Sequence, residues 1–146
     1  MIHVLFVCTG NTCRSPMAEA ILKSKSLAGV EVKSAGIYAA NGSAASLNTQ
    51  KVLEENAIGI EHHSALLASE QVNWATYILT MTASHKQAVL ASFPQASEKT
   101  FTLKEFSDGS YEDILDPFGG PVEIYRETFL DIKDAINKSI KRLDTD

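Results

Sequence analysis

Cysteine, proline and positive charge are all scarce in this chain, and each scarcity narrows what it can do. Two cysteines, Cys8 and Cys13, stand among 146 residues, too few for a disulfide framework and suited to a reducing compartment or to thiol chemistry. Lysine and arginine number 13 against 18 aspartates and glutamates, a net charge of −5, which argues against a nucleic-acid surface or a polybasic membrane patch. No apolar run approaches the length of a bilayer span, and the N-terminus has neither a basic region nor a long apolar one of the secretory kind. The expected location is the cytoplasm, with no nucleic acid and no membrane as partner. Four prolines, and no repeat, linker or low-complexity tract, leave one expected domain over residues 1–146, long enough for a sizeable core and expected to be monomeric.

Apolar residues make up 45% of the chain, and they are patterned. Met1–Val7 (MIHVLFV) reads as a strand buried on both faces. A helix then opens around Ser15, with that serine as cap, Pro16 in the first turn and Gly29 just past the end; Met17, Ala18, Ile21, Leu22 and Ala28 form its apolar stripe. Val30–Ser34 alternates as a strand, a loop with Asn41-Gly42 follows, and Ser46–Ala57 and Ser69–Trp74 read as helices. Tyr77–Met81 is a third strand, Ala83–Ser92 a helix stopped by Phe93-Pro94, and Thr100–Leu103 a fourth strand. Lys104–Gly120 reads as one long loop, of the kind that carries function. The last helix, from Pro121, sets Val122, Tyr125, Phe129, Ile132, Ile136, Ile140 and Leu143 on one face. Strands alternating with helices predict an α/β three-layer sandwich, a parallel sheet with helices on both faces. Ligands bind such sheets beyond the carboxyl ends of the strands.

The first strand-to-helix turn, CTGNTCRS over 8–15, falls at that end. A compact loop of small residues turns its N–H groups inward, and the following helix adds free N–H groups and a positive dipole end, together an oxyanion cradle. Gly10 permits backbone geometry closed to other residues, Asn11 tolerates a left-handed φ, and Arg14 offers a planar fork for two phosphate oxygens. Cys8 sits at the mouth, where these groups favour the thiolate, so a bound phosphoryl group would be attacked in line to give a cysteinyl-phosphate. Ser15 is placed to donate to the sulfur when it leaves. The Gly-Lys-Ser/Thr ending of a nucleotide P-loop is missing. Cys13 has two readings, a small packed side chain or a partner for Cys8 in a reversible disulfide.

The departing group needs a proton. Asp108, Glu112, Asp113 and Asp116 are the candidates among the carboxylates of the long loop. Asp116 stands out because Pro117 restricts its backbone and Phe118-Gly119-Gly120 surrounds it with a turn and an apolar contact. These residues, VCTGNTCRSPMAEA and a late DPFGG, resemble the low-molecular-weight protein-tyrosine phosphatase family over essentially the whole chain, with SAG at Ser34–Gly36, the His62 region and YILTM included. The resemblance implies a four-stranded parallel sheet, Cys8 as nucleophile, Arg14 as phosphate clamp and Asp116 as acid then base. It further implies a phosphate loop of Thr9, Gly10, Asn11, Thr12, Cys13, Arg14 and Ser15, held in shape by Asn11, Ser15, Ser34 and His62. It implies phosphorylated proteins as substrates, and no metal or cofactor.

Thr12 stands where tyrosine-directed members carry a bulky aliphatic residue, Phe118-Gly119 where they carry aromatics, and Met81-Thr82 where they have Met-Asp. These features resemble the protein-arginine phosphatase branch of Gram-positive bacteria and make Thr12 and Phe118 the expected specificity residues, with phosphoarginine as substrate. Phosphotyrosine is the alternative. Arsenate reductase shares the scaffold but needs cysteines after Cys13, and none follow. A module that only binds phosphorylated partners would not need both Cys8 and Asp116, and a Cys8–Cys13 redox switch would not explain Arg14. The histidines His3, His62, His63 and His85 lack cysteine or carboxylate partners at metal-ligand spacing.

Overall fold

In the computed structural model, which describes residues 1–143, four parallel strands form one sheet in the order β2-β1-β3-β4. The strands are β1 (Ile2–Cys8), β2 (Val30–Gly36), β3 (Tyr77–Thr80) and β4 (Thr100–Thr102), and the helices are α1 (Arg14–Ser24), α2 (Leu47–Glu55), α3 (Ser69–Trp74), α4 (Ala83–Ser92), α5 (Leu103–Asp108) and α6 (Val122–Ser139). The three C-terminal residues of the expected 1–146 domain lie outside the described part. No helix among the described residues is long and apolar enough to cross a membrane.

Strand periodicity sorts the side chains of β1 onto two faces. Val4, Phe6 and Cys8 face one cluster, with Met17, Ile21 and Leu22 of α1, Leu53 of α2, Phe106 of α5 and Phe129, Ile132 and Ile136 of α6. Leu5 and Val7 face the other, with Val72 of α3, Ile78 of β3 and Val89 of α4. Both faces of β1 are therefore dry, which is why MIHVLFV reads as an unbroken apolar run rather than an alternating one. The three-layer sandwich is as expected.

The local departures have physical causes. Helix α1 begins at Arg14, with Cys13 as its N-cap and no side-chain cap bond. Ser15 is inside the helix and turns its hydroxyl to Cys8 instead of capping. The helix stops at Ser24, whose hydroxyl bonds Ile21 O at 2.6 Å. The next N–H groups reach back only three residues, Lys25 to Leu22 and Ser26 to Lys23, and Ser26 turns to φ 49°. Ala28 is therefore beyond the helix and exposed rather than part of its stripe.

The expected loop Lys104–Gly120 is shorter at its start, because α5 occupies Leu103–Asp108. Thr102 accepts from Glu105 N and Glu105 bonds back to Thr102 N, a capping box, and Gly109 at φ 79° ends the helix. The same box ends β4 one residue early.

Strand β2 runs two residues further than the alternation indicates, so that Gly36 pairs with Cys8. A Cβ on Gly36 would stand 2.5 Å from Thr9 O and 2.9 Å from Asn11 N. The strand can pass beneath the 8–15 loop only because residue 36 has no side chain. Gly36→Ala is expected to cost roughly 1–3 kcal/mol in urea unfolding and to lower turnover by displacing that loop. A fully active variant would show that the loop yields easily.

Candidate active site

At the carboxyl end of β1 the chain turns through Thr9–Cys13 into α1. Cys8, Thr9, Gly10, Thr12, Cys13, Arg14, Asp116 and Phe118 surround one cleft of about 210 Å³. Sequence reasoning expected every one of these in the site. Asn11, Ser15, Ser34 and His62 lie behind the loop rather than in the cleft.

The left-handed residue of the loop is Asn11, with φ 56°. Gly10 does not take a positive φ, contrary to the role expected for it. A Cβ there would stand 3.7 Å from Thr12 Oγ1, so its missing side chain leaves room on the cleft wall instead. Asn11 is fully buried and its amide does the holding. Nδ2 donates to Ser15 Oγ at 2.8 Å and to Ser34 Oγ at 2.9 Å, and Oδ1 accepts from Ala65 N at 2.9 Å. His62 Nε2 lies 2.7 Å from Asn11 O. The segment that brings His62 and Ala65 runs beside the end of β2, where Gly36 N donates to Ala65 O at 2.9 Å. At the other end of this chain Ser15 Oγ is 2.8 Å from Cys8 Sγ.

Ser34 in turn donates to Glu19 Oε1 at 2.5 Å, and Glu19 is a residue that sequence reasoning did not place in the site. It stands one helical turn beyond Ser15 on α1, an i, i+4 spacing that puts both on one face. Lys23 Nζ is 2.5 Å from Glu19 Oε2 and His62 Nδ1 is 3.7 Å from Oε1. Burial alone would raise the Glu19 pKa, but hydrogen bonds from His62, Lys23 and Ser34 outweigh it and hold the carboxyl at about 2.

Arg14 is 4% exposed. Its Nη1 donates to Ile114 O at 2.9 Å and its Nη2 lies 3.6 Å from Asp116 Oδ2. Asp116 is half-exposed, and its Oδ1 accepts from Phe118 N at 3.0 Å. Of the four candidate carboxylates, Asp116 alone lines the cleft. Asp113 caps α4 by accepting from Ala83 N at 2.9 Å. Asp108 accepts from Ser110 N and Lys138 stands 3.6 Å away; Glu112 pairs with Lys104 at 3.4 Å.

Cys13 is buried, with Sγ 3.4 Å from Tyr125 Oη and 3.6 Å from Ser46 Oγ, and both cysteines are free thiols. The packed reading of Cys13 thus has concrete partners. Burial and the Cys13 contact push the Tyr125 hydroxyl up to about 12. Thr82, part of the Met81-Thr82 pair that carried the branch resemblance, caps α4 by accepting from His85 N at 3.1 Å. The ring of His85 itself reaches Thr9 Oγ1 at 2.8 Å, a contact across 76 positions that no local pattern announces.

A family profile described as "Low molecular weight phosphotyrosine protein phosphatase" matches residues 3–146. A protein-arginine-phosphatase of Geobacillus stearothermophilus is 51% identical over 144 residues, 99% of this chain and 97% of the relative. The arginine phosphatase structure from that organism superposes with a TM-score of 0.96 at 50% identity, over 98% of this chain and 93% of the other. A second arginine phosphatase structure, a mutant described as having a phosphorylated active-site serine in place of cysteine, superposes at 0.95 with 40% identity, over 99% and 97%.

The pH dependence of stability tests the Glu19 cluster. Because its folded pKa lies below the ordinary 4.5, at about 2, its contribution is complete above pH 4.5 and is lost as pH falls from there through 2. That loss is roughly 3 kcal/mol at most. Urea unfolding of Glu19→Gln between pH 6 and pH 2.5 is expected to show a flatter slope than the parent. Parallel curves would exclude Glu19 as the group responsible.

Proposed function

The chain belongs to the low molecular weight phosphotyrosine protein phosphatase family, and on that premise we propose that it removes phosphoryl groups from phosphoarginine residues of proteins. The observation that carries the proposal is one cleft shared by Cys8, Arg14, Asp116 and Thr12. Cys8 Sγ attacks phosphorus, the P–N bond breaks, and the departing guanidine nitrogen takes a proton from Asp116. The phosphoryl oxygens are held by Arg14 and the inward N–H groups of Thr9–Ser15. Water, deprotonated by the Asp116 carboxylate, then attacks the cysteinyl-phosphate, releasing phosphate and the thiolate. Ser15 supports the sulfur as it leaves.

Thr12 favours the arginine reading. It is partly exposed on the cleft wall and presents a hydroxyl where an aliphatic side chain would suit a phenyl ring. Close similarity to proteins named as arginine phosphatases supports the same reading. The exposed ring of Phe118 beside Asp116 is compatible with phosphotyrosine, which is the second reading. Tyr38, Leu47 and Leu115 are also exposed on segments around the mouth and suit a polypeptide rather than a small phosphate ester.

Cys8→Ser is expected to abolish steady turnover, and full activity in that variant would exclude the covalent route. Asp116→Asn should lower kcat by about 100-fold or more; an unchanged kcat would move the proton donor elsewhere. Paired assays on a phosphoarginine and a phosphotyrosine peptide should show preference for the first. Thr12→Ile should shift the ratio toward phosphotyrosine by about tenfold. A parent enzyme that prefers phosphotyrosine would leave the second reading standing.

A further inference from the structure

His85 lies in the first turn of α4, 8% exposed. Its Nε2 is 2.8 Å from Thr9 Oγ1, and its Nδ1 is buried without a hydrogen-bond partner. A buried histidine with one orphaned nitrogen is costly to keep, and the other nitrogen bonds the residue next to Cys8.

The loop is held unevenly. Its far half, from Asn11 to Ser15, is fixed by Ser34, His62 and Ala65. The side chains of that network do not reach Thr9 and Gly10. The side chain of Thr9 is reached by α4, while its carbonyl accepts from Tyr38 N at 2.9 Å, and the start of α4 is also where the segment carrying Asp116 is moored. Asp113 accepts from Ala83 N, Ile114 N donates to Met81 O at 2.9 Å, and Arg14 bonds Ile114 O.

We propose that His85 is a positioning residue: through Thr9 it ties the first turn of the 8–15 loop to the anchor of the 109–121 loop and keeps Cys8 and Asp116 in register. The proposal rests on the reading of Cys8 as nucleophile and Asp116 as acid.

The charged groups facing the ring are Arg14 from α1 and Asp116 and Asp113 from the long loop. Burial first, then Arg14, lower the His85 pKa to about 4, against a smaller upward pull from the two aspartates. The ring is neutral near pH 7, so one nitrogen carries hydrogen. A buried acceptor tolerates lacking a partner better than a buried N–H does, which puts the hydrogen on Nε2, donating to Thr9 Oγ1. The Thr9 hydroxyl hydrogen is then free to point into the cleft that Thr9 lines. A protonated ring would instead add a second buried cation beside Arg14.

The test uses His85→Ala, His85→Gln, Thr9→Val and the double variant His85→Ala/Thr9→Val on an aryl phosphate, with kcat, KM and the pH–rate profile measured. Gln places an amide nitrogen near the position of Nε2. His85→Ala and Thr9→Val are each expected to lower kcat about tenfold, with a smaller change in KM and a weakened alkaline limb. The double variant should be no worse than either single one, and His85→Gln should regain most of the loss. Losses that multiply, or a His85→Ala enzyme with a lower Tm and an intact kcat, would overturn the proposal. Thr9 is exposed, so Thr9→Val keeps the test valid if His85→Ala fails to fold.

A second readout does not need turnover: the rate of Cys8 alkylation by iodoacetate, read by mass spectrometry. It should change alike in His85→Ala and Thr9→Val and return in His85→Gln. Unchanged rates in all three would count against His85. An inactive parent enzyme would overturn the phosphatase reading, while the alkylation rates still decide the role of His85.

Discussion

An anion cradle is a poor structure to fold around empty space. Successive N–H groups turned inward repel one another, and nothing in the loop itself opposes collapse onto backbone alternatives. In this chain the opposition comes from the buried amide of Asn11, which adopts φ 56° and spends its hydrogen-bonding capacity outside the cleft, on Ser15, Ser34 and the backbone of Ala65. The far half of the loop, from Asn11 to Ser15, takes its position from that residue. Ser15 reaches Cys8 because Asn11 holds it. Gly36 must be glycine because the loop Asn11 shapes lies directly on it.

The cluster behind the loop is ionic at its far end and neutral near the sulfur. Glu19 carries the charge, with Lys23 and His62 close by, and it is separated from Cys8 by hydroxyls and an amide. This order has an electrostatic logic. A carboxylate touching the thiol would oppose thiolate formation, whereas the same carboxylate four hydrogen bonds away orients Ser34 and Asn11 without that penalty. On the other side of the loop the groups near the cleft are a buried arginine and a neutral histidine. Positive charge is thus concentrated on the Arg14 guanidinium, which lines the cleft.

Much of this was legible before any coordinates. The unbroken apolar run of β1, the alternation of strands with helices and the Cys8–Ser15 spacing placed the cleft at the correct end of the sheet, and Asp116 was singled out from four carboxylates by its proline and glycines. What was missed depends on distance or on competition. Thr102-Leu103-Lys104-Glu105 is a capping signature that the loop-rich composition after it concealed. Ser15 looked like a cap because a serine before a helix usually is one, but here the sulfur outcompetes the helix N–H groups for its hydroxyl. The turns of α1 hid Glu19 in plain view, four residues from Ser15. His85 had no local sign at all, since its role exists only once α4 docks beside β1.

The long loop shows how one carboxyl can be both anchored and free. Ile114 is held twice by backbone bonds, to Met81 and to Arg14, and Asp113 is held at the start of α4. Two residues later Asp116 is half-exposed, steadied by the N–H of Phe118 and by Arg14 at 3.6 Å. The anchor fixes the reach of the carboxyl while its tip stays accessible to solvent, as the proposed acid role requires. Arg14 couples the two loops, because the guanidinium that lines the cleft also grips Ile114. Thr82 is a helix cap, and neither it nor Met81 lines the cleft. The proposed discrimination rests instead on side chains that line the cleft, Thr12 from one loop and Phe118 from the other.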